Sequence, residues 1–116
     1  MRNFRKYQVW ELGHEITLDV YRLSKQFPKE EQFGITSQMR RCSSSVPANI
    51  AEGCGRETEK EFKRFLIIAN GSATELECFL ILVKDLELAG QESIEKLVDK
   101  VDQLKRSLNR LISKLK

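Results

Sequence analysis

Leucine and valine residues recur every three or four positions near the C-terminal end of the sequence, and this pattern constrains the fold most. The set is Leu97, Val101, Leu104, Leu108, Leu111 and Leu115, with spacings of 4, 3, 4, 3 and 4. An α-helix completes a turn in about 3.6 residues, so this spacing places every member on one side of a helix. We expect a helix from about Glu92 to Leu115 that buries this side against other helices.

Two earlier segments carry the same periodicity. The first helix is expected at about Tyr7–Gln26, because Pro28 follows it and the residue before a proline disfavours helical backbone. The second is expected to start at Thr36 or Ser37, either of which can cap it, and to end near Cys54. Their apolar stripes are Val9, Leu12, Ile16, Val20, Leu23 and Phe27 in the first, and Met39, Cys42, Val46 and Ile50 in the second.

A third helix is indicated by Thr58 followed three residues later by Glu61, which is a capping-box signature. It is expected to continue to about Leu88, before the Ala89-Gly90 stop. Four helices joined by short loops must run antiparallel to their neighbours. The sequence therefore predicts an all-α, up-and-down antiparallel four-helix bundle in which residues 1–116 form one domain.

Two local features interrupt the regular pattern. Pro47 lies inside the second helix and cannot donate its backbone hydrogen bond, so we expect a kink with Ser43 to Ser45 taking up some of the freed bonding. Small residues occupy the middle of the third helix, namely Ala69, Gly71, Ser72 and Ala73. A glycine there costs about 1 kcal/mol relative to alanine. The cluster suggests that a neighbouring backbone passes close by.

Apolar residues are more numerous than one four-helix core requires. Hydrophobic residues make up 41% of the chain. Those that widen the stripes of the last and third helices are Ile94, Val98, Ile112, Phe62, Phe65, Ile67, Ile68 and Phe79. They could simply fill the core of a monomer. We favour the alternative that a second apolar face is buried between subunits of a homo-oligomer.

Residues that usually carry catalysis or hold metals are scarce. His14 is the only histidine, and Cys42, Cys54 and Cys78 are separated by 12 and 24 residues. Zinc sites use much closer cysteine pairs, and no phosphate-binding glycine loop is present. We therefore expect no enzyme activity, no metal and no cofactor. An odd number of cysteines without a close pair fits free thiols in a reducing cytoplasm.

The N-terminus lacks the apolar segment of a signal peptide. The longest apolar run, Phe79–Val83, is far shorter than the roughly 20 residues of a membrane span. The sequence predicts a cytoplasmic protein with no membrane partner.

A polar stripe accompanies the apolar stripe of the second helix. Its members are Arg41, Ser45, Asn49, Glu52 and Arg56, and Gln38 and Arg40 flank its start. Three interpretations stay open: an ordinary solvated face, a hydrogen-bonded network, or a surface that binds phosphate through its arginines. The network is favoured, with Arg40 or Arg41 meeting Glu75 or Glu77 of the third helix.

Charge is segregated along a chain whose net charge is +3. The basic residues at the two termini are Arg2, Arg5, Lys6, Lys105, Arg106, Arg110, Lys114 and Lys116, whereas Glu75–Glu95 holds six acidic residues and one lysine. Cations near a helix C-terminus are favoured by the helix dipole alone. In a ring of subunits, the same cations would form a positive collar able to contact RNA or DNA.

The segment Gly34–Gly53, GITSQMRRCSSSVPANIAEG, resembles the signature of the family of 23S rRNA intervening-sequence proteins. The matching positions are Ser37, Gln38, Arg40, Arg41, Ser43 to Ser45, Pro47, Asn49, Ile50, Ala51, Glu52 and Gly53. Further matches, among them Trp10, Tyr21, Phe62, Gly71 and Glu75, extend the resemblance over about Val9 to Leu88. The fourth helix matches only in its apolar pattern.

The resemblance implies bundles that associate as a homopentameric ring. Some family members are encoded within insertions in bacterial 23S rRNA genes, and for most of them no biochemical activity is assigned. A similar protein, the accessory variability protein of diversity-generating retroelements, binds nucleic acid and a reverse transcriptase through such a ring.

These features predict a non-catalytic homopentamer with a nucleic-acid or ribonucleoprotein accessory role. Its partners would be other copies of itself and RNA, DNA or a nucleic-acid-processing protein. Contacts with nucleic acid are expected from Arg2, Arg5, Lys6, Lys105, Arg106, Arg110 and Lys114. The alternative is a structural or protein-interaction scaffold that does not bind nucleic acid.

Overall fold

Four α-helices account for most of the chain. The computed structural model describes residues 2–116, with α1 at Gln8–Ser24, α2 at Ile35–Cys54, α3 at Glu59–Asp85 and α4 at Gln91–Ser113. Short 3-10 turns, Phe4–Lys6 and Lys29–Glu31, precede α1 and lie between α1 and α2. The predicted all-helical bundle is confirmed.

Each helix packs against two others in an up-and-down order. α2 contacts α1 and α3, and α4 contacts α3 and α1, whereas the diagonal pairs α1–α3 and α2–α4 do not approach one another within residues 2–116. The bundle measures 43 × 23 × 19 Å. The first and last helices therefore lie side by side and close the bundle.

The predicted apolar stripes form the core. All four stripe residues of α2 are buried, as are Val9, Ile16, Val20 and Leu23 of α1 and Leu97, Val101, Leu104 and Leu108 of α4. Burying one such side chain contributes roughly 1.5–3 kcal/mol relative to leaving it exposed. Three predicted stripe members, Leu12, Leu111 and Leu115, are only half-buried at the edges of this core.

Pro47 sits inside an unbroken α2, and the structure shows how α1 accommodates it. The Ser43 carbonyl, which proline leaves without a helical donor, accepts a hydrogen bond of 2.9 Å from the Thr17 hydroxyl of α1. The compensation that we expected from Ser43 to Ser45 of α2 is therefore supplied by Thr17 of α1. A Cβ at Gly13 would lie 3.1 Å from Val46 Cγ1 and 3.6 Å from Pro47 Cδ, so glycine allows α1 to pack closely against the segment of α2 that contains the proline.

Two helix boundaries differ from the sequence prediction. α2 begins at Ile35, one residue before the predicted caps, and Thr36 is buried in its first turn instead of capping it. α3 ends at Asp85, and Glu87 adopts a left-handed backbone with φ of 54° in the turn that follows. The Thr58 cap is confirmed, because its hydroxyl accepts a hydrogen bond from the Glu61 N–H at 3.1 Å.

The small residues in the middle of α3 face in different directions. Ala69 and Ala73 are fully buried, and the Ser72 hydroxyl lies 3.1 Å from the Ser45 hydroxyl of α2. The small side chains at these positions therefore allow a neighbouring helix to pack closely against α3. Gly71 differs, because a Cβ added there would meet no neighbouring group within 4 Å in the described part of the chain, residues 2–116.

Candidate nucleic-acid interface

The up-and-down topology gathers most of the predicted cations at one end of the bundle. The start of α1, the end of α2, the start of α3 and the end of α4 meet there. We call this the basic end, and its cations are Arg2, Arg5, Lys6, Arg56, Lys60, Lys63, Arg64, Lys105, Arg106, Arg110, Lys114 and Lys116. Its acidic residues are half as many, namely Glu11, Glu52, Glu57, Glu59, Glu61 and Asp102, and Glu59 and Glu61 lie in the first turn of α3. α3 lies diagonally opposite α1.

The opposite end is close to neutral. It is formed by the α1–α2 and α3–α4 connections, and its six acidic residues, Glu30, Glu31, Asp85, Glu87, Glu92 and Glu95, are nearly balanced by five basic ones, Arg22, Lys25, Lys29, Lys84 and Lys96. The positive charge of the chain is therefore concentrated toward the basic end, which a net charge of +3 does not reveal.

Two of the predicted nucleic-acid contacts are already paired with acids. Lys105 forms an ion pair of 2.9 Å with Glu77 of α3, and Arg106 pairs with Asp102 one turn earlier on α4. An ammonium or guanidinium group in such a pair is a weaker phosphate ligand, because the carboxylate competes for it. We therefore separate these two from the unpaired cations of the basic end.

Arg2 anchors the N-terminal segment across the basic end. Its guanidinium donates a 2.9 Å hydrogen bond to the Arg56 carbonyl and lies 4.4 Å from the centre of the Phe62 ring. Arg5 lies 4.9 Å above the Phe4 ring. Both keep their positive charge at the surface, since neither contact involves an acid.

Lys6, Arg110 and Lys114 lie together around a groove between α1 and α4. No carboxylate within residues 2–116 forms an ion pair with any of the three, and Arg110 donates only to the Ser107 hydroxyl, at 3.1 Å. Arg110 and Lys114 are one helical turn apart, whereas Lys6 is distant from both in sequence. Periodicity alone could not show that Lys6 shares their groove.

The polar stripe of α2 makes two separate sets of local contacts. Asn49 donates to the Ser45 hydroxyl at 2.9 Å, and that hydroxyl meets Ser72 of α3. Nearer the basic end, Glu52 and Arg56 form an exposed ion pair of 2.9 Å, and Arg56 lies 4.7 Å above the Phe65 ring. The stripe thus lies along the α2–α3 seam.

Arg40 contacts α1, and the expected pairing with Glu75 or Glu77 is not formed. Its Nε donates to the Ser24 hydroxyl at 2.8 Å, and its guanidinium lies 4.6 Å above the Tyr21 ring. Arg40 projects toward α1 because it lies on the opposite flank of α2 from Ser45. Arg40 therefore links α2 to α1 through a hydrogen bond and a cation–π contact.

Three further members of the predicted set, Gln38, Arg41 and Glu75, are exposed. No hydrogen bond or ion pair within residues 2–116 engages the side chains of Arg41 or Glu75. The solvated-face interpretation therefore describes this part of the stripe best.

Large exposed apolar side chains occur in two patches. The outer α3 face consists of Ile67, Ile68, Ile81, Leu82 and Leu86, and the α1 patch consists of Leu18, Tyr21 and Phe33. Phe33 is 91% exposed. Only Ile67 and Ile68 had been singled out from sequence. The other helical residues of the two patches lie outside the core stripes, and Phe33 lies in the α1–α2 connection.

By length and composition, α3 could also cross a membrane, since it contains an 18-residue window with a mean hydropathy of 1.6. One such helix is weak evidence, because a core helix of a bundle meets the same criterion. Only 33% of this window is buried inside the bundle. This agrees with the apolar outer face of α3. The expected absence of a membrane partner stays a prediction.

A double ion pair between α1 and α4 was not anticipated from sequence. The Lys100 ammonium lies 2.6 Å from a Glu15 carboxylate oxygen and 2.7 Å from one of Asp19. The pKa of Lys100 is raised, chiefly by its hydrogen bond to Asp19 and next by its hydrogen bond to Glu15. This contact ties the two terminal helices together between grooves that open toward either end of the seam.

The cysteines do not form a reactive group. Cys42 and Cys54 are buried, and burial raises the pKa of the Cys42 thiol to about 12 and also raises that of Cys54. Cys78 is exposed on α3. Among residues 2–116, no cluster of histidine, cysteine and acidic side chains is placed to hold a metal ion.

A family assignment follows from comparison of the whole chain with known proteins. The model of the family described as "23S rRNA-intervening sequence protein" matches residues 5–110, from the N-terminal turn to the last turns of α4. The chain belongs to this family. The resemblance seen in the α2 signature is therefore confirmed, and the family match also includes most of the fourth helix.

A solved structure extends the family assignment to the fold. The chain is similar to a protein of unknown function from the S23 ribosomal protein family of Bacteroides thetaiotaomicron, at 25% identity. The match covers 90% of this chain and 95% of the other, with a TM-score of 0.83. No curated protein sequence matches the chain significantly. Membership of the 23S rRNA-intervening sequence family thus establishes the architecture without assigning an activity.

Proposed function

We propose that this member of the 23S rRNA-intervening sequence family is a non-catalytic, cytoplasmic accessory protein that binds nucleic acid as part of a ribonucleoprotein or a nucleic-acid-processing complex. The observation that carries the proposal is the set of cations at the basic end that no acid neutralises. Lys6, Arg110 and Lys114 share one groove there, and Arg5 adds a further unpaired charge. Unpaired Lys and Arg side chains bind phosphate by displacing its counterions.

The same proposal includes self-association into a homo-oligomeric ring, a pentamer by resemblance to the family. The outer α3 face and the α1 patch lie on diagonally opposite helices. Two different patches that face different directions support heterologous contacts, in which one subunit's α3 packs on the next subunit's α1. Such contacts generate a ring when the rotation closes.

A ring would multiply the charge of the basic end. All subunits of a cyclic ring point the same way along its axis, so every basic end would lie on one rim. The positive potential of that rim grows with the number of subunits, and it attracts a polyanion more strongly than a single bundle does.

Binding is tested by fluorescence anisotropy of labelled single-stranded RNA and DNA, titrated with the protein at several salt concentrations. We expect the logarithm of the association constant to fall linearly with the logarithm of salt concentration, because phosphate contacts release counterions. Absence of binding at ~50 mM salt, where such contacts are strong, would refute the nucleic-acid role.

A second candidate function is a structural or protein-interaction scaffold without nucleic-acid binding. The exposed apolar outer face of α3 supports it, since such faces mark protein contacts. The two functions separate on variants: a scaffold would lose its partner when the α3 face is altered and keep it when the basic end is neutralised. Light scattering at two concentrations tests the ring in either case, and a monomer at both concentrations would overturn it.

A further inference from the structure

A shallow groove of about 250 Å³ runs between the start of α1 and the last turns of α4. Three cations line it, Lys6 from the N-terminal segment and Arg110 and Lys114 from α4. The remaining lining is neutral and includes Gln8 and Ser107. An acid-free groove with three positive charges is a strong local site for an anion.

We propose that this groove holds a backbone phosphate of a single nucleic-acid strand. The inference rests on the proposed nucleic-acid function and gives it a location. The phosphate would accept hydrogen bonds from the Arg110 guanidinium and from the ammonium groups of Lys6 and Lys114. Guanidinium groups match the geometry of phosphate oxygens, and lysines add point charges.

The three charges are available because nothing in residues 2–116 neutralises them. The hydrogen bond from Arg110 to Ser107, 3.1 Å long, uses one of the five N–H donors of the guanidinium. The C-terminus of α4 contributes a partial charge of only about −0.5 against two full cations. Glu11 and Glu15 line the next groove along the α1–α4 seam, and Glu15 is engaged by Lys100.

The backbone N–H groups at the start of α1 add hydrogen-bond donors suited to an anion. Tyr7 occupies the cap position of α1 without a side-chain hydrogen bond to the first turn, whereas Thr58 caps α3. Gln8 and Val9 of that first turn line the groove. Free N–H groups at a helix start favour a negative ligand. They supplement the cations here.

The size of the groove favours a phosphate over a peptide. Its volume of about 250 Å³ is below the roughly 300–1,000 Å³ of typical small-molecule pockets. Besides Tyr7, the apolar residues that line the groove are Val9, which is buried, and Leu111, which is half-buried. Little apolar surface is therefore left to hold the side chains of an acidic peptide.

The test compares two double variants that remove the same charge. Arg110→Gln with Lys114→Gln alters the groove, and Lys25→Gln with Lys84→Gln alters exposed cations nearer the other end that form no ion pair within residues 2–116. Anisotropy of a labelled single-stranded RNA is measured against salt for the wild type and both variants. We expect the groove variant to lower the salt slope by about 0.7, since the groove holds one phosphate and each phosphate contacted on a single strand contributes about 0.7. The control is expected to keep the wild-type slope.

The outcomes separate the groove from the broader function. RNA binding by the wild type with an unchanged slope in the groove variant would overturn the groove and leave the proposed function standing. No binding by the wild type at ~50 mM salt would overturn both.

A second measurement does not depend on RNA. Amide NMR signals of Gln8, Val9 and Ser107 are followed during titration with inorganic pyrophosphate and, separately, with poly-glutamate. Pyrophosphate is expected to shift these signals in the wild type and to leave them unmoved in the groove variant. Equal shifts with both anions at equal charge would overturn the preference for phosphate. Matching circular dichroism melting curves confirm that the variants are folded.

Discussion

The basic end and the outer α3 face are built on the same four helices, yet they expose opposite chemistry. At the basic end, cations from the N-terminal segment and from the end of α4 gather around a groove and over aromatic rings. On the outer α3 face, isoleucine and leucine side chains remain exposed, and a Cβ added at Gly71 would contact no neighbouring group of residues 2–116 within 4 Å. Water solvates the first arrangement readily and the second poorly. Under the proposed function, the first region would contact a polyanion and the second would contact protein.

The largest effect is expected from placing charge on the outer α3 face. Ile81→Asp with Leu82→Asp would put two carboxylates in the proposed subunit contact, where burying unpaired charge is very unfavourable. We expect the oligomer to dissociate to the 13.5 kDa chain in light scattering. Ser93→Asp with Gln103→Asp adds the same charge at exposed positions of α4 and serves as the control. An unchanged mass for the α3 variant would remove this face from the interface.

Two glycines sharpen the contrast between the regions, and the first lies near the basic end. A Cβ at Gly53 would lie 2.8 Å from Phe65 Cβ and 3.3 Å from the Phe62 carbonyl oxygen. Gly53→Leu is therefore expected to lower the free energy of unfolding by about 1–3 kcal/mol or more through overpacking. Urea denaturation measures this, and a loss below ~0.5 kcal/mol would contradict the tight contact between α2 and α3.

Gly71 on the outer α3 face should behave in the opposite way. Within the chain its added Cβ meets nothing, so Gly71→Ala should raise the unfolding free energy of a monomer by about 1 kcal/mol. This is measured in the Ile81→Asp, Leu82→Asp background. In the otherwise wild-type protein, we expect the same change to weaken association, because the methyl group intrudes where a second chain approaches. Tighter association would contradict a close contact at Gly71.

Cations that are paired with acids should contribute to stability and little to nucleic-acid binding. Lys105→Gln breaks the partly exposed ion pair with Glu77 and is expected to cost about 1 kcal/mol or less. RNA affinity should change far less than when Lys6 is replaced by Gln, although both variants lose one charge. Equal losses of affinity would show that total charge matters and that pairing does not.

The smallest expected effect is a pH dependence from the α1–α4 seam. The pKa of Lys100 is raised above 10.5 by Asp19 and Glu15. A cation with a raised folded-state pKa stabilises the fold below its unfolded pKa, and this stabilisation is lost as pH rises through the folded value. Unfolding curves from pH 9 to pH 11 should therefore show a steeper loss of stability for the wild type than for Lys100→Met. Parallel curves would contradict the seam ion pairs.

The helical periodicity predicted the bundle because each stripe depends only on spacing within one segment. Ile16, Val46 and Leu104 could be placed in the core without knowledge of any other helix. Contacts between helices depend on the relative rotation and register of two segments, which periodicity leaves undetermined. Arg40 illustrates this, since its position on the α1-facing flank of α2 directs it to Ser24 of α1 and away from Glu75 of α3.

The candidate site was predictable as a set of charges and not as a geometry. The terminal cations could be named from sequence, but Lys105 and Arg106 were found in ion pairs only when their partners were placed. Conversely, Lys6 could be joined to Arg110 only through the antiparallel arrangement of α1 and α4. The proline in α2 was foreseen as an irregularity, whereas its compensation by Thr17 required the position of α1.

The central claim is that the unpaired cations of the basic end bind nucleic acid. The most direct test is the salt dependence of wild-type binding to a labelled single-stranded RNA, measured by anisotropy from ~50 mM salt upward. The account predicts binding at the lowest salt, with a log–log slope steeper than about −2, because three or more phosphates are contacted at about 0.7 each. Absence of binding at ~50 mM, or binding that does not change with salt, would contradict it.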